Sequence, residues 1–401
     1  MKPTFIIIFN LCVLVVFMAC NQQAKEETKQ LTIAEDTISQ LQDIQKDSAT
    51  KLACNNDTLN SLANIISGMV DTNSIFNFVQ QSSDFKTFSK NFEKRWMAFD
   101  SSRLKDLKVF QSKEISKIVK PQQTLFYPFS GPDILHAQTF FPEADQYIMI
   151  GLEPVGSFPQ FKPAEKDSLD QYFSKINTSL NAILKFSFFR TASMSQDLKN
   201  TEVDGTLHLL VLFLKRTGNA LCSAKPITID SLGNVEYINS FSKLKKSNFK
   251  TKGIELKFSD TEQQSKTVYY FSLNAADGGL KANKGFVTYL KNIGTVNTYL
   301  KGASYLMHKN YFSIIRNVIL NQSQSVIQDD SGIALHYFTE NSKAWNYSFY
   351  GQYTHPIPMF SAFYQSDLDS LYQQKGSKKM GFGIGYNFRD KNSNFMIASK
   401  H

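Results

Sequence analysis

Three polar side chains suited to ligand binding or acid–base chemistry follow an apolar run at Thr124–Tyr127. They are Ser130, Asp133 and His136, and Pro132 stands between the first two. Asp133 and His136 are three residues apart, so on a helix they would lie on one face. We interpret Ser130 and His136 as candidate ligand-binding residues and Asp133 as a candidate catalytic carboxylate. A structural role is the alternative, because Ser and Asp cap helices and Pro suits a first helical turn.

Three more carboxylates follow other apolar runs of the sequence. Glu153 comes after the run Tyr147–Leu152, and the pair Asp329 and Asp330 comes after the short run Ser325–Gln328. Two neighbouring carboxylates can act as general acid and general base, so these three residues join the candidate catalytic set. The alternatives are a solvated loop for Glu153 and, for the aspartates, either a cation site or an ordinary turn.

Two arginines are candidate partners for these carboxylates. Arg190 and Arg316 interrupt apolar sequence, and a buried arginine is usually paired with an acidic group. We therefore expect either residue to face a carboxylate if it lies inside the protein, and we include Arg190 among the candidate ligand-binding residues.

The sequence lacks the motifs of common metal and cofactor sites. None of its six histidines has a metal-binding spacing, and no G-x-S-x-G elbow is present, which disfavours a serine hydrolase. Gly381, Gly383 and Gly385 alternate in an apolar stretch, but no helix follows them as it would in a phosphate-binding loop. We predict no metal and no cofactor for this chain.

The elements that must position these residues predict an α/β fold. The apolar runs Thr124–Tyr127 and Tyr147–Leu152 are joined by a short helical stretch, which favours parallel strands over a hairpin. In open α/β sheets, ligands bind beyond the carboxyl ends of the strands. Ser130, Asp133 and Glu153 would then lie at one edge of the sheet.

The rest of the chain completes this prediction. Phe85, Phe88, Phe92 and Trp96 recur at helical spacing and predict a helix whose aromatic face packs on the core. We predict a mixed or largely parallel sheet flanked by helices, with an N-terminal helical segment over 58–120. Further along, the pattern predicts a helix over Thr298–His308 and a final strand over Met380–Asn387.

The N-terminus predicts export and lipid anchoring. Lys2 precedes an apolar stretch, Phe5–Met18, that is too short for a stable membrane span and ends at Ala19-Cys20. Phe17-Met18-Ala19-Cys20 resembles the lipobox of bacterial lipoproteins, although Phe17 stands where Leu is usual. The resemblance implies cleavage before Cys20 and lipidation of that cysteine.

The residues after Cys20 bear on the final location of the protein. Lys25-Glu26-Glu27 resembles the short export sequence of surface lipoproteins of the Bacteroidota, and a plain solvated tether is the alternative. The resemblance implies an outer-membrane lipoprotein of the cell envelope, carrying palmitate or a related acyl chain, that faces the periplasm or the cell surface. The predicted segments are a signal peptide over 1–19, a lipidated tether over 20–57, helices over 58–120, and two α/β halves over 121–233 and 234–401 that can form one domain.

The composition limits the possible partners. With 42% hydrophobic residues and 34 phenylalanines among 401 residues, the mature chain can bury a large core. The net charge is +9, but Lys and Arg are spread along the sequence, so we predict no nucleic-acid partner. Cys54 and Cys222 could pair outside the cytoplasm, and the sequence leaves that question open.

Two functional hypotheses follow from the sequence. The first is an envelope lipoprotein that binds a ligand, an envelope glycan or a protein partner. The second is a hydrolase that acts on envelope glycans or peptides through Asp133, Glu153, Asp329 and Asp330. They differ in whether these carboxylates reach one shared cleft.

Replacement of Cys20 tests the anchoring prediction. We expect Cys20→Ser to move the protein from the membrane fraction to the soluble fraction, because acyl chains would provide the anchor. Cys12→Ser lies inside the predicted signal peptide and should leave the protein in the membrane fraction. Fractionation of cells followed by immunoblotting measures both variants. Retention of Cys20→Ser in washed membranes would contradict the lipid anchor.

Overall fold

The computed structural model describes most of the chain after the N-terminal segment. The described residues are 54, 56–119, 123–162, 166–186, 203–340, 345–386, 388 and 393–400. The chain from Lys51 to His401 forms one compact unit. Cys20 and Arg190 lie outside the described residues, so their predicted roles stay predictions.

A ten-stranded mixed sheet forms the centre of this unit. The strands are β1 Thr124–Pro128, β2 Gln146–Gly151, β3 Ala220–Ile229, β4 Val235–Tyr237, β5 Lys252–Ser259, β6 Ser265–Ser272, β7 Val296–Leu300, β8 Ser323–Gln328, β9 Trp345–Gly351 and β10 Asn394–Lys400. Their order across the sheet is β4-β3-β5-β6-β2-β1-β7-β8-β10-β9. Strands from both predicted halves of the sequence therefore belong to one sheet.

The middle of the sheet is parallel and doubly wound. The strands β6, β2, β1, β7 and β8 pair in parallel, and β1 and β2 are neighbours as predicted. In chain order these five strands are arranged 3-2-1-4-5, so the direction of winding reverses between β1 and β7. In folds with this order, the crevice at the reversal is the usual ligand site. Antiparallel strands extend both sides of the parallel core.

Thirteen α-helices in the described part of the chain cover the sheet. They are α1 Asp57–Ile66, α2 Asn77–Gln81, α3 Ser83–Phe99, α4 Lys105–Phe110, α5 Ile134–Phe140, α6 Lys166–Phe186, α7 Leu207–Arg216, α8 Phe241–Lys246, α9 Asp277–Ala282, α10 Lys284–Asn292, α11 Ser313–Gln322, α12 Leu335–Glu340 and α13 Ser366–Lys375. Short π-helical stretches at Asp100–Leu104 and Gln111–Ile115 continue α3 and α4, and 3-10 turns occur at Leu306–His308, Asn310–Phe312 and Pro358–Phe363. The predicted α/β class and N-terminal helical segment are confirmed.

Alternation along the strands separates two hydrophobic cores. Leu125 and Tyr127 of β1 point to one face, where the N-terminal helices α1, α3 and α4 pack together with α5 and α7. Phe126 points to the other face, among the apolar side chains of α9, α10 and α11. This period of two is what a strand buried on both faces requires. The aromatic face of α3, which includes Phe92, is buried as predicted.

Two of the predicted elements are wrong. The segment predicted as a helix over Thr298–His308 begins inside β7, which is buried at every position between two parallel neighbours. The pattern of apolar residues in this short segment is compatible with either a helix or a strand. Pairing with β1 and β8 in the interior of the sheet gives it the strand conformation. Of the strand predicted over Met380–Asn387, residues 380–386 are described and have no strand conformation, and the last strand of the described chain is β10.

A disulfide bond fastens the start of the folded unit to the sheet. Cys54, just before α1, is bonded to Cys222 of β3 across 168 residues of sequence. A cross-link that closes such a long loop restricts the unfolded chain strongly. Within the described residues, no helix is long and apolar enough to cross a membrane.

Candidate functional site

The polar residues predicted from the sequence gather at the carboxyl edge of the parallel strands. Asp133 follows β1, Glu153 follows β2, and Asp329 and Asp330 follow β8. Lys301, which directly follows β7, is a basic residue at the same edge that the sequence pattern did not predict. All five side chains are buried, so this edge holds a polar core beneath the surface.

Asp133 is the centre of the first polar group. Its Oδ2 accepts hydrogen bonds from Lys301 Nζ at 2.5 Å and from the Tyr127 hydroxyl at 2.9 Å. Its Oδ1 lies 2.7 Å from His136 Nδ1 and accepts the His136 backbone N–H at 3.3 Å. Lys301 Nζ also lies 3.1 Å from His136 Nδ1. The group joins the turn after β1 to the end of β7, across the point where the winding reverses.

Lys301 and His136 both influence the charge of Asp133. Burial alone would raise the pKa of Asp133, but His136 and Lys301 outweigh it and lower the pKa to about 2. Burial lowers the pKa of His136, so its ring is neutral at pH 7 and its contact with Asp133 is a hydrogen bond. Burial also lowers the pKa of Lys301, and Asp133 opposes that shift. The close contact of Lys301 Nζ with Asp133 Oδ2, at 2.5 Å, makes this pair the central ionic interaction of the group.

Asp329 and Asp330 form the second polar group, beside the first. Asp329 accepts the Gly302 backbone N–H at 2.9 Å through Oδ2, and the Ser331 N–H and hydroxyl at 3.0 Å and 2.5 Å through Oδ1. Asp330 accepts the Tyr305 hydroxyl through Oδ2 and the Asn394 amide at 2.9 Å through Oδ1. These carboxylates thus hold the turn after β7 against the end of β8.

Burial changes the protonation of this pair. Loss of solvation and the neighbouring charge of Asp330 raise the pKa of Asp329 to about 7. Burial raises the pKa of Asp330 as well, although the bonds from Tyr305 and Asn394 counter it. Two adjacent buried carboxylates resist ionising together, so the pair keeps a proton more readily than a solvated aspartate would.

The backbone at this edge adopts left-handed conformations that side chains usually avoid. Phe129 after β1 has φ 61°, and Ser304 and Tyr305 after β7 both have φ 54°. Only one other non-glycine residue in the described chain, Gln263, has a positive φ. Each such residue costs about 1–2 kcal/mol unless its surroundings hold it, and residues of this kind are concentrated at ligand sites.

Glycines let the chain segments approach closely here. Gly131 and Gly302 have φ 53° and 58° in the turns after β1 and β7. A Cβ atom on Gly385 would lie 2.1 Å from Asp329 Oδ2, so the irregular segment around Gly385 passes directly over that carboxylate. Tyr386 continues this cover, because its hydroxyl donates to Gly302 O at 2.9 Å and its ring is only partly exposed.

Glu153 lies on the other side of β1 from this cover. A Cβ on Gly151 would meet Glu153 Oε2 and the Tyr270 hydroxyl, each at 2.5 Å, and Gly131 Cα at 3.2 Å. The Glu153 carboxylate therefore occupies the space above the end of β2, next to the turn that leads to Asp133. Its Oε1 has no hydrogen-bond partner among the described residues.

Three predicted roles change in detail. The side chain that caps α5 is Asp133, while the Ser130 hydroxyl donates to the carbonyls of Gly131 at 2.9 Å and Ile150 at 3.3 Å. The structural alternative of helix capping thus holds for Asp133 and not for Ser130, because three residues separate Ser130 from the start of the helix. Arg316 does not face a carboxylate in the described chain: it donates to backbone carbonyls, and its guanidinium stacks on Tyr337.

The geometry limits what the carboxylates can do chemically. Both oxygens of Asp133, Asp329 and Asp330 already accept hydrogen bonds from other residues. A general acid or base must reach the proton of a substrate within hydrogen-bond distance. These three side chains therefore hold the turns in place, and the turns themselves, with Glu153, are the parts able to meet a ligand.

Comparisons with protein-family models, with curated proteins and with solved structures find no match to this chain. The strand order and the side chains at the carboxyl edge therefore carry the functional interpretation. A doubly wound order indicates where a ligand binds, whereas the chemistry has to be inferred from the residues at that place.

Removal of the buried cation tests the role of the first polar group. We expect Lys301→Met to lower the free energy of unfolding by about 3–5 kcal/mol, because Asp133 would keep an uncompensated buried charge. Asp133→Asn combined with Lys301→Met should cost less than the sum of the single changes. Urea denaturation of the full chain in detergent measures all three variants.

The exposed ion pair between Lys108 and Asp100 provides the control for this cycle. Their side chains are 62% and 47% exposed. Lys108→Met should change the free energy of unfolding by at most about 1 kcal/mol. Two results would show that the Lys301–Asp133 contact does not stabilise this edge of the sheet. One is an equal loss of unfolding free energy in Lys301→Met and Lys108→Met. The other is a loss in the double variant equal to the sum of the losses from Lys301→Met and Asp133→Asn.

Proposed function

We propose that the chain is a lipid-anchored protein of the bacterial outer membrane that binds a small polar ligand between the ends of β1 and β7. The observation that carries this proposal is the concentration of buried charge and left-handed backbone at the point where the winding of the sheet reverses. Preorganised turns on a rigid sheet are a common way to build a ligand site.

Buried side chains hold the turns around the proposed site in fixed positions. The turn after β1 is tied to β7 through Asp133 and Lys301, and the turn after β7 is tied to β8 through Asp329 and Gly302. Such support lowers the conformational entropy that ligand binding would otherwise cost. Phe129 and Ser304, at the top of the two turns, are partly exposed and can meet a ligand.

The anchor and the location of this proposal rest on sequence. The resemblance of residues 17–20 to a lipobox supports lipidation at Cys20, and the residues after it support export to the outer membrane or cell surface. An envelope glycan, or a protein that carries one, is the partner that such a location offers.

A hydrolase that acts on envelope glycans or peptides is the second candidate. The observation in its favour is the pKa of Asp329, which burial and Asp330 raise to about 7, in the range that a general acid or base needs at neutral pH. The engagement of both Asp329 oxygens by Gly302 and Ser331 favours binding over hydrolysis.

Native mass spectrometry tests the binding proposal. The full chain is purified from membranes in mild detergent and compared before and after unfolding. We expect a small molecule to be released on unfolding, because the preorganised site should retain its ligand through purification. Release of nothing from the wild-type chain would contradict the proposal.

Two glycine substitutions locate the bound molecule. Gly302→Ala places a side chain at φ 58° in the turn after β7 and should lower the amount of released molecule severalfold. Gly376→Ala also places a side chain at a positive φ, 70°, but at a position remote from the site where nothing lies within 4 Å of the added atom, and it should leave the amount unchanged. Equal release from both variants would place the ligand elsewhere in the protein.

A further inference from the structure

Glu153 is a buried carboxylate whose hydrogen bonding is incomplete. The residue is 1% exposed, and its Oε1 accepts no hydrogen bond within the described part of the chain. Its Oε2 receives only a long contact of 3.4 Å from the Tyr270 hydroxyl, which donates at 2.9 Å to the Glu153 backbone carbonyl instead. A buried acceptor of this kind is costly unless donors reach it.

A buried hydroxyl group, that of Thr206, lies close to Glu153. The backbone N–H of Thr206, which directly precedes α7, donates to Pro154 O at 2.9 Å and so holds Thr206 next to Glu153. Thr206 is fully buried, and its hydroxyl interacts with the Tyr270 hydroxyl, which also lies 3.4 Å from Glu153 Oε2. Glu153 and Thr206 thus share Tyr270 as a neighbour, while the Glu153 Oε1 accepts no hydrogen bond within the described residues.

The position of Glu153 connects it to the proposed ligand site. Gly131, in the turn after β1, lies against Gly151 and the Glu153 carboxylate at the end of β2. In doubly wound folds that bind nucleotides, an acidic residue about 20 residues after the first turn accepts the hydroxyls of a ribose. Glu153 stands 22 residues after Gly131. Its neighbours in sequence, Leu152 and Pro154, are exposed, so the loop that carries Glu153 lies at the surface.

We propose that Glu153, assisted by the Thr206 hydroxyl, binds the vicinal diol of a sugar ring at this edge. The inference rests on the proposed function and specifies the chemical class of its ligand. Two neighbouring ligand hydroxyls can donate to the two carboxylate oxygens, which have lone pairs to spare, and the oxygen of the Thr206 hydroxyl can accept a hydrogen bond from a ligand hydroxyl. A ribose of a nucleoside and a sugar of an envelope glycan both carry this chemistry.

Calorimetric titration of the dialysed full chain in detergent tests the inference. The probes are adenosine and 2′,3′-dideoxyadenosine, which differ in the ribose diol, and methyl α-D-mannopyranoside, which carries a cis-diol without a base. We expect at least one diol probe to bind and the dideoxy compound to bind at least about tenfold more weakly than adenosine. Binding of adenosine alone indicates a nucleoside, and binding of the mannoside indicates an envelope sugar.

Glu153→Gln should weaken binding of the active probe by at least about tenfold, because it removes the charged acceptor. Glu255→Gln is the matched control. Glu255 is equally buried, and its Oε1 also accepts no hydrogen bond within the described residues, although Lys257 Nζ lies 3.9 Å away. It lies within β5, and its Oε2 accepts hydrogen bonds from Tyr237 and Tyr269 at 2.9 Å. This variant should bind as the wild type does.

Thr206→Val provides a second variant that keeps the side-chain shape, and it should also weaken binding. Thermal unfolding of each variant shows that it is folded. The inference is overturned if neither diol probe binds, if dideoxyadenosine binds as well as adenosine, or if Glu153→Gln and Thr206→Val both bind like the wild type. Release of a different small molecule in native mass spectrometry would then leave the proposed function standing, whereas release of none would overturn both.

Discussion

The ion pair between Lys301 and Asp133 is the contact on which the carboxyl edge of the sheet depends. It joins the turn after β1 to the end of β7 at the one place in the parallel core where the winding reverses. Two oppositely charged groups in a dry interior stay ionised only when each satisfies the other. Tyr127 and the neutral ring of His136 complete the hydrogen bonding of Asp133, so its position is fixed from three directions.

The rest of the edge follows from that constraint. With β1 and β7 fixed, the turn after β7 can hold the left-handed residues Ser304 and Tyr305, and Asp329 and Asp330 clamp it to β8. Asp329 and Asp330, which the sequence suggests as an acid–base pair, therefore hold the turn after β7 in place by hydrogen bonds. Glu153 differs because its carboxylate makes few hydrogen bonds to the protein, and its Oε1 accepts none within the described residues. It is therefore the carboxylate best placed to bind a ligand.

The sequence predicted the positions of Asp133, Glu153 and the Asp329–Asp330 pair because each follows an apolar run that ends in turn residues. It missed Lys301, since β7 is a short strand whose inner residues, Asn297 and Thr298, break the apolar pattern. Their polar atoms bond to neighbouring side chains that are distant in sequence. The partner of Asp133 lies 168 residues away, and only the pairing of β1 with β7 brings the two together. The spacing of apolar residues along the chain cannot predict a contact between residues so far apart in sequence.

Hydrogen exchange measured on the full chain in detergent tests most directly whether this edge is the ligand site. The chain as purified is compared with the chain after unfolding, dialysis and refolding, which removes any bound small molecule. We expect the amides of the turns at Phe129–Asp133 and Gly302–Tyr305 to exchange faster after refolding, while those of β3 and β5 remain unchanged. Identical exchange in both samples, or a difference confined to segments away from these turns, would contradict the account.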